Sequence, residues 1–196
     1  MNFLVEKKKQ TDSVIATSIH SIEGFQKVKK PTDNLVINIY GARESGKTSF
    51  VIKYCEKKFD TFYIPSLGCE TTNYSCVING KRYTLKFIVD QYEQYSINTL
   101  KDSNCFLIFF DCSDSNSYIK AKEFVKEVYH HCNNNVAIPI CLIGNKIDLK
   151  RKNYNAEDAK IFCNEYKIEL FEISVKDNIG ISKMMQYICS YYANNN

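Results

Sequence analysis

The run Gly41-Ala42-Arg43-Glu44-Ser45-Gly46-Lys47-Thr48 constrains this chain more than any other feature. It fits G-x-x-x-x-G-K-[ST], a glycine-bearing loop that curls so that successive N–H groups point inward at phosphate oxygens. Such a loop has to follow a buried strand and open a helix. Residues 35–40, Leu-Val-Ile-Asn-Ile-Tyr, read as that strand, and residues 48–58 read as that helix. The helix start adds partial positive charge where the phosphates would lie. Lys47 is the candidate contact for the β- and γ-phosphates, and the Thr48 hydroxyl is the candidate ligand for Mg²⁺. Ser49 completes the phosphate-binding run. By composition the pattern arises by chance in on the order of one chain in a hundred of this length.

The segments that follow alternate between strands and helices. Residues 73–78 and 82–89 read as paired strands, because Asn79-Gly80 between them favours positive φ. Residues 105–110 form an apolar strand. Residues 117–131 form an amphipathic helix with Tyr118, Ala121, Phe124, Val125 and Val128 on one face. Residues 136–143 read as a strand, 156–166 as a helix, 168–173 as a strand and 179–192 as a helix. One hairpin in an otherwise β-then-α order predicts an α/β fold. Its sheet is mainly parallel with one antiparallel strand, and helices cover both faces. Residues 1–34 read as an extension with lysine clusters at Lys7-Lys8-Lys9 and at Lys27, Lys29 and Lys30. Ile15, Ile19 and Ile22 fall between them at helical spacing. Either a short helix or a disordered leader fits this segment. Residues 35–192 make the domain, and 193–196 a short tail.

Composition excludes several classes. A length of 196 residues suits one domain, and no stretch approaches the ~20 apolar residues that span a bilayer. Phe3-Leu4-Val5 is too short for the apolar core of a secretory signal. With 26 basic and 22 acidic residues, the net charge of +4 does not argue for a nucleic-acid partner. The 9 cysteines are scattered without a Cys-x-x-Cys pair. They read as reduced thiols, several buried as small hydrophobes, rather than a disulfide framework or a zinc ribbon.

A second motif selects the nucleotide. Asn145-Lys146-Ile147-Asp148 follows the strand 136–143, at the edge where ligands of open α/β sheets bind. A carboxylate such as Asp148 can accept two hydrogen bonds from guanine N1–H and its 2-amino group, a donor pair that adenine lacks. The wrong base would leave a buried polar group unpaired. Ser174-Val175-Lys176, after the last strand, adds a backbone N–H for guanine O6 and a hydroxyl, Ser174, that can hold Asp148 in place.

With these three motifs in this order and at these separations, residues 35–192 resemble the Ras-like small GTPases. Pro65-Ser66-Leu67-Gly68-Cys69-Glu70-Thr71 and Val77-Ile78-Asn79-Gly80-Lys81 are similar to the effector loop and hairpin of the Rab branch. The resemblance implies a six-stranded P-loop G domain that binds GDP or GTP with Mg²⁺. It implies that Thr48, Ser66 and, through water, Asp90 position the metal. Lys146 would cover the base and Lys176 flank it. It also implies effector and exchange-factor proteins meeting residues 59–76 and 90–104, a part in vesicle trafficking, and a cytoplasmic chain peripheral on endomembranes.

The chain departs from the family pattern at several places. Arg43 stands where hydrolysing members carry a small residue. It either crowds the attacking water or points into solvent. Ser66 replaces a threonine. In Asp90-Gln91-Tyr92-Glu93, Glu93 replaces the glycine whose N–H contacts the γ-phosphate. A carboxylate about 4 Å from a phosphate oxygen is repulsive by about 4 kcal/mol, so the second switch is not expected to close in the usual way. Gln94 is the candidate catalytic glutamine if no gap precedes it, but the stretch from Asp90 to Cys105 is shorter than in Rab proteins. The end Tyr191-Tyr192-Ala193-Asn194-Asn195-Asn196 carries no prenylatable cysteine. The expectation is a guanine-nucleotide switch with weak hydrolysis. The alternatives are an interaction module that holds nucleotide structurally, or the first domain of a longer chain. A P-loop kinase would need an arginine-rich lid, which the sequence lacks.

Overall fold

The computed structural model describes residues 33–59, 68–90, 103–132 and 138–195. The expected N-terminal helix, Ser66, Glu93 and Gln94 lie outside them. Six strands form one sheet: β1 (Asp33–Gly41), β2 (Cys69–Ile78), β3 (Lys81–Asp90), β4 (Cys105–Asp111), β5 (Ile140–Asn145) and β6 (Glu169–Glu172). Among the described residues there are four helices: α1 (Lys47–Glu56), α2 (Ser115–His131), α3 (Ala156–Tyr166) and α4 (Ile181–Asn195). The strand order is β2-β3-β1-β4-β5-β6. Every pairing is parallel except β2 with β3. The expected α/β architecture with one antiparallel strand is therefore present.

The alternation of side chains along β4 shows how the two faces are built. Cys105, Leu107 and Phe109 pack with residues of α1 and α4, including Phe50, Met184 and Ile188. Phe106, Ile108 and Phe110 pack with α2 and α3, through Tyr118, Val125 and Phe162. A strand buried on both faces reads as an unbroken apolar run, which is what residues 105–110 are. The Phe50 ring anchors the first face, with its centroid 5.4 Å from Phe109 and 5.9 Å from Phe87. Burial pushes the Cys112, Cys163 and Cys189 thiols up to about 12. They stay protonated and pack as hydrophobes, and all nine cysteines are free.

Element boundaries follow local chemistry. The hairpin turns at Asn79 and Gly80, with φ of 51° and 77°. Strand β2 starts at Cys69, four residues before the expected 73, and is in register from Cys69 opposite Asp90. Its sequence there is polar because every second residue is exposed. Strand β5 begins at Ile140 rather than at 136, since Pro139 has no N–H for the ladder, although its carbonyl accepts from the Phe106 amide at 3.0 Å. It extends to Asn145, so that residue is part of the sheet. Helix α4 begins at Ile181 because Ile179 exchanges backbone bonds with Ser174 and Gly180 has a φ of 78°. It runs to Asn195, into the segment expected as a tail. Among the described residues no helix is long and apolar enough to cross a membrane.

Replacing Phe50 by Ala removes the ring that touches two strands. The expected cost is about 3–5 kcal/mol, a large part of the stability of an ordinary domain. Urea denaturation of Phe50→Ala against wild type measures it, with Phe50→Leu expected to lose less.

Candidate nucleotide site

Because β1, β3, β4, β5 and β6 are parallel, their C-terminal ends lie at one edge of the sheet. That edge carries Gly41, Asp90, Asp111, Asn145 and the loop after Glu172. The motifs singled out in the sequence therefore arrive together by topology, as ligand sites of open α/β sheets do.

The phosphate loop is shaped by two close approaches. Gly41 has a φ of 136°, and a Cβ there would lie 2.1 Å from the carbonyl oxygen of Phe109. Gly46 has a φ of 96°, and its Cβ would lie 2.2 Å from Nδ2 of Asn145. Only glycine fits either position. Glu44 adopts a left-handed φ of 60° between them. The Ser45 hydroxyl donates to the Ala42 carbonyl at 2.8 Å and closes the turn. Helix α1 then starts at Lys47 with no side chain capping it. By contrast, Asp114 caps α2 by accepting from the Asn116 N–H, and Asn155 caps α3 by accepting from Glu157 and Asp158. The first turn of α1, with Lys47, Thr48 and Ser49, thus begins without a side-chain cap, a start whose N–H groups suit an anion.

Lys47 is only 4% exposed. Its ammonium donates to the carbonyls of Gly41 at 2.8 Å and Ala42 at 2.9 Å. Burial holds its pKa down to about 8, partly offset by attraction to Asp90 and reinforced by repulsion from Arg43. Asp90 is buried at the end of β3, beside β1. Arg43 is exposed, and its charge is near enough to repel that of Lys47.

The base motifs form a connected network. Asn145 Nδ2 donates to the Ser45 carbonyl at 2.9 Å, and the Val175 N–H donates to Asn145 Oδ1 at 3.1 Å. One buried amide therefore ties the phosphate loop to the last loop. The Ser174 hydroxyl donates to Asp148 Oδ1 at 2.7 Å and accepts the Asp177 N–H at 3.0 Å. Ser174 thus holds Asp148 in the way the sequence anticipated. Lys176 is exposed, with its ammonium 3.9 Å from Asp148. Lys146 turns with a φ of 67°, and its ammonium sits 2.7 Å from Asp111. Sequence reasoning missed Asp111. The available signal was a lone carboxylate closing an otherwise apolar strand.

Replacing Asn145 by Ala would leave the Ser45 carbonyl and the Val175 amide without this partner. The expected loss is roughly 2–4 kcal/mol of stability in nucleotide-stripped protein, read by chemical denaturation. A loss seen only with nucleotide present would mean the bridge contributes nothing by itself.

Comparison with known proteins agrees with this geometry. The family model described as Ras family matches residues 34–193. Ras-related protein Rab-21 of Mus musculus is 32% identical over 150 residues, covering 74% of this chain and 66% of that protein. Rab-21 of Homo sapiens is also 32% identical over 150 residues, with 65% of it covered. Rab-32C of Dictyostelium discoideum is 29% identical over 160 residues, covering 78% of this chain and 70% of that protein. The match thus spans about two thirds of the length of the Rab-21 relatives. A family match over most of the chain, on a sheet with this order and these loops, places the protein in the Ras family of small GTPases, with its similarity to the Rab members.

Proposed function

We propose that this chain is a guanine-nucleotide-binding switch of the Rab type that hydrolyses GTP weakly. The observation that carries the guanine reading is the Ser174–Asp148 hydrogen bond of 2.7 Å. It orients one carboxylate oxygen and leaves the group, an acceptor only when ionised, able to meet two neighbouring donors on a base. The backbone amides of Ser174 and Val175 already donate to Ile179 and Asn145. The guanine carbonyl O6 therefore shares the Val175 amide or draws on that of Lys176. Lys146 covers one side of the base and Lys176 flanks it.

In this reading the phosphates lie over Gly41, Ala42, Arg43, Glu44, Ser45 and Gly46, at the uncapped start of α1. Lys47 is held at the mouth of the loop by the Gly41 and Ala42 carbonyls. Its charge is costly in that buried place without an anion and favourable with one. The donors of Thr48 and Asp90 are oxygens, one on the first turn of α1 and one at the end of the neighbouring strand β3, which suits a magnesium ion. A magnesium ion there would neutralise phosphate charge. Ser66 is the further oxygen donor proposed from sequence.

Weak hydrolysis is supported by the sequence alone. Glu93 replaces a glycine next to the γ-phosphate, the second switch is short, and Gln94 is the one residue proposed to orient water. Effector and exchange-factor contacts through residues 59–76 and 90–104, and a role in vesicle trafficking on endomembranes, follow from similarity to Rab proteins.

Asp148→Asn is expected to weaken GDP and GTP binding strongly and to admit xanthine nucleotides, because an amide donates where the carboxylate only accepts. Titrations with guanine, xanthine and adenine nucleotides side by side measure this, and unchanged GTP affinity would remove the base site from Asp148. Single-turnover hydrolysis is expected below the ordinary intrinsic rate of about 10⁻⁴ per second. A rate at or above it would count against the weak-hydrolysis reading, and Gln94→Leu would then report whether that glutamine orients the water.

A further inference from the structure

Asp111 lies outside every motif used so far, yet it is among the most constrained carboxylates at the site. It closes β4, and its partner across the sheet is Asn145. The chain leaves β5 at Asn145 and turns back through the left-handed conformation of Lys146. That turn delivers the lysine ammonium to Asp111 Oδ2 at 2.7 Å. The other oxygen, Oδ1, accepts the Ser113 N–H at 2.8 Å and the Ser113 hydroxyl at 2.6 Å. The Asp111 backbone N–H donates to the Ser117 hydroxyl at 2.9 Å, at the first turn of α2.

Both carboxylate oxygens are thus engaged, and the backbone beneath them is pinned. Burial alone would push the Asp111 carboxyl up, but the hydrogen bonds from Lys146 and Ser113 outweigh it and hold it below the usual range. The Asp111 side chain is only 13% exposed and that of Lys146 33%. An oriented, charge-assisted contact shielded in this way is stronger than an exposed ion pair. Without it a lysine stem samples many rotamers. With it the stem between the Lys146 Cα and the anchored ammonium has few paths left.

We propose that Asp111 is a positioning residue for the base: by holding the Lys146 ammonium it fixes the lysine stem as one wall of the base pocket, an assignment that rests on the guanine site proposed above. Ser113 supports it by orienting the carboxylate. Asp111 touches no nucleotide atom in this scheme and acts through Lys146 alone.

The test is a double-mutant cycle on the full chain, read as the release rate of fluorescently labelled GDP. Asp111→Asn keeps the shape and removes the charge, and Lys146→Met keeps the stem and removes the ammonium. Asp111→Asn is expected to speed release about tenfold in the wild-type background and to add nothing in the Lys146→Met background. Ser113→Ala, which deletes one of the orienting bonds, is expected to shift release the same way by less and serves if Asp111→Asn does not fold. Labelling of Lys146 by an amine-reactive probe, read by mass spectrometry on nucleotide-free protein, should rise in Asp111→Asn. A general packing role would speed release equally in both backgrounds, and that result overturns the proposal, as does unchanged release in Asp111→Asn. A wild-type chain that fails to bind GDP overturns the guanine reading together with this one. A wild-type chain that binds GDP with release independent of Asp111 overturns this one alone.

Discussion

The Asn145 amide is the piece on which the site depends. Its Nδ2 binds the Ser45 carbonyl in the phosphate loop, and its Oδ1 receives the Val175 amide in the last loop. Two loops with no ladder between them are thereby set at fixed separation. The contact is close enough to dictate Gly46, since any side chain there would occupy the place of Asn145 Nδ2. Asn145 can act in this way because it is the last residue of β5 rather than part of a mobile loop. Its backbone carbonyl also accepts from Cys112, which ties it to the end of β4.

The sheet supplies the rigid base for that bridge. Strands β1, β4 and β5 are sealed on both faces, by α1 and α4 on one and by α2 and α3 on the other. With its faces covered, the sheet offers chemistry at its edges, and the parallel order collects five strand ends at one of them. The network continues outward from there. Tyr118 and Lys122 share the Asp158 carboxylate, and Lys152 and Tyr154 share that of Glu172. The first pair ties α2 to α3, the second ties the segment between the base motif and α3 to the end of β6, and the Asn153 N–H bonds to the Cys112 carbonyl at 2.7 Å.

The three loops were legible in the sequence because each uses residue types that few other conformations require. Gly41 and Gly46 are needed for positive φ and close approach, and Ser174 sits within reach of Asp148. The strands sealed on both faces were legible as apolar runs, and α3 as a periodic segment between Asn155 and Lys167. Polar β2 is longer than its sequence suggests because its exposed alternate positions carry no hydrophobic signal. The start of β5 is hidden in the sequence because the apolar run continues through Pro139, which cannot donate to the ladder. The lone carboxylate of Asp111 marks the end of an apolar strand, but its role is not legible there: its partner Lys146 is remote in sequence and reaches it only through the turn after β5. The exposure of Arg43 likewise depends on loop geometry that its residue type does not reveal.

The reach of the Asn145 bridge bears on how the molecule is made. Ser45 and Asn145 are separated by 100 positions, and Asn145 and Val175 by 30. On the ribosome the early phosphate loop has no counterpart for most of synthesis, and the pocket cannot assemble until residues past 175 have emerged. Loop closure over such distances is slow and is rewarded only at the end. A nucleotide bound to the finished pocket favours the folded chain by mass action and gives incomplete chains no comparable help. In the guanine-nucleotide reading, the ligand of such a site would therefore stabilise finished chains and not truncated ones.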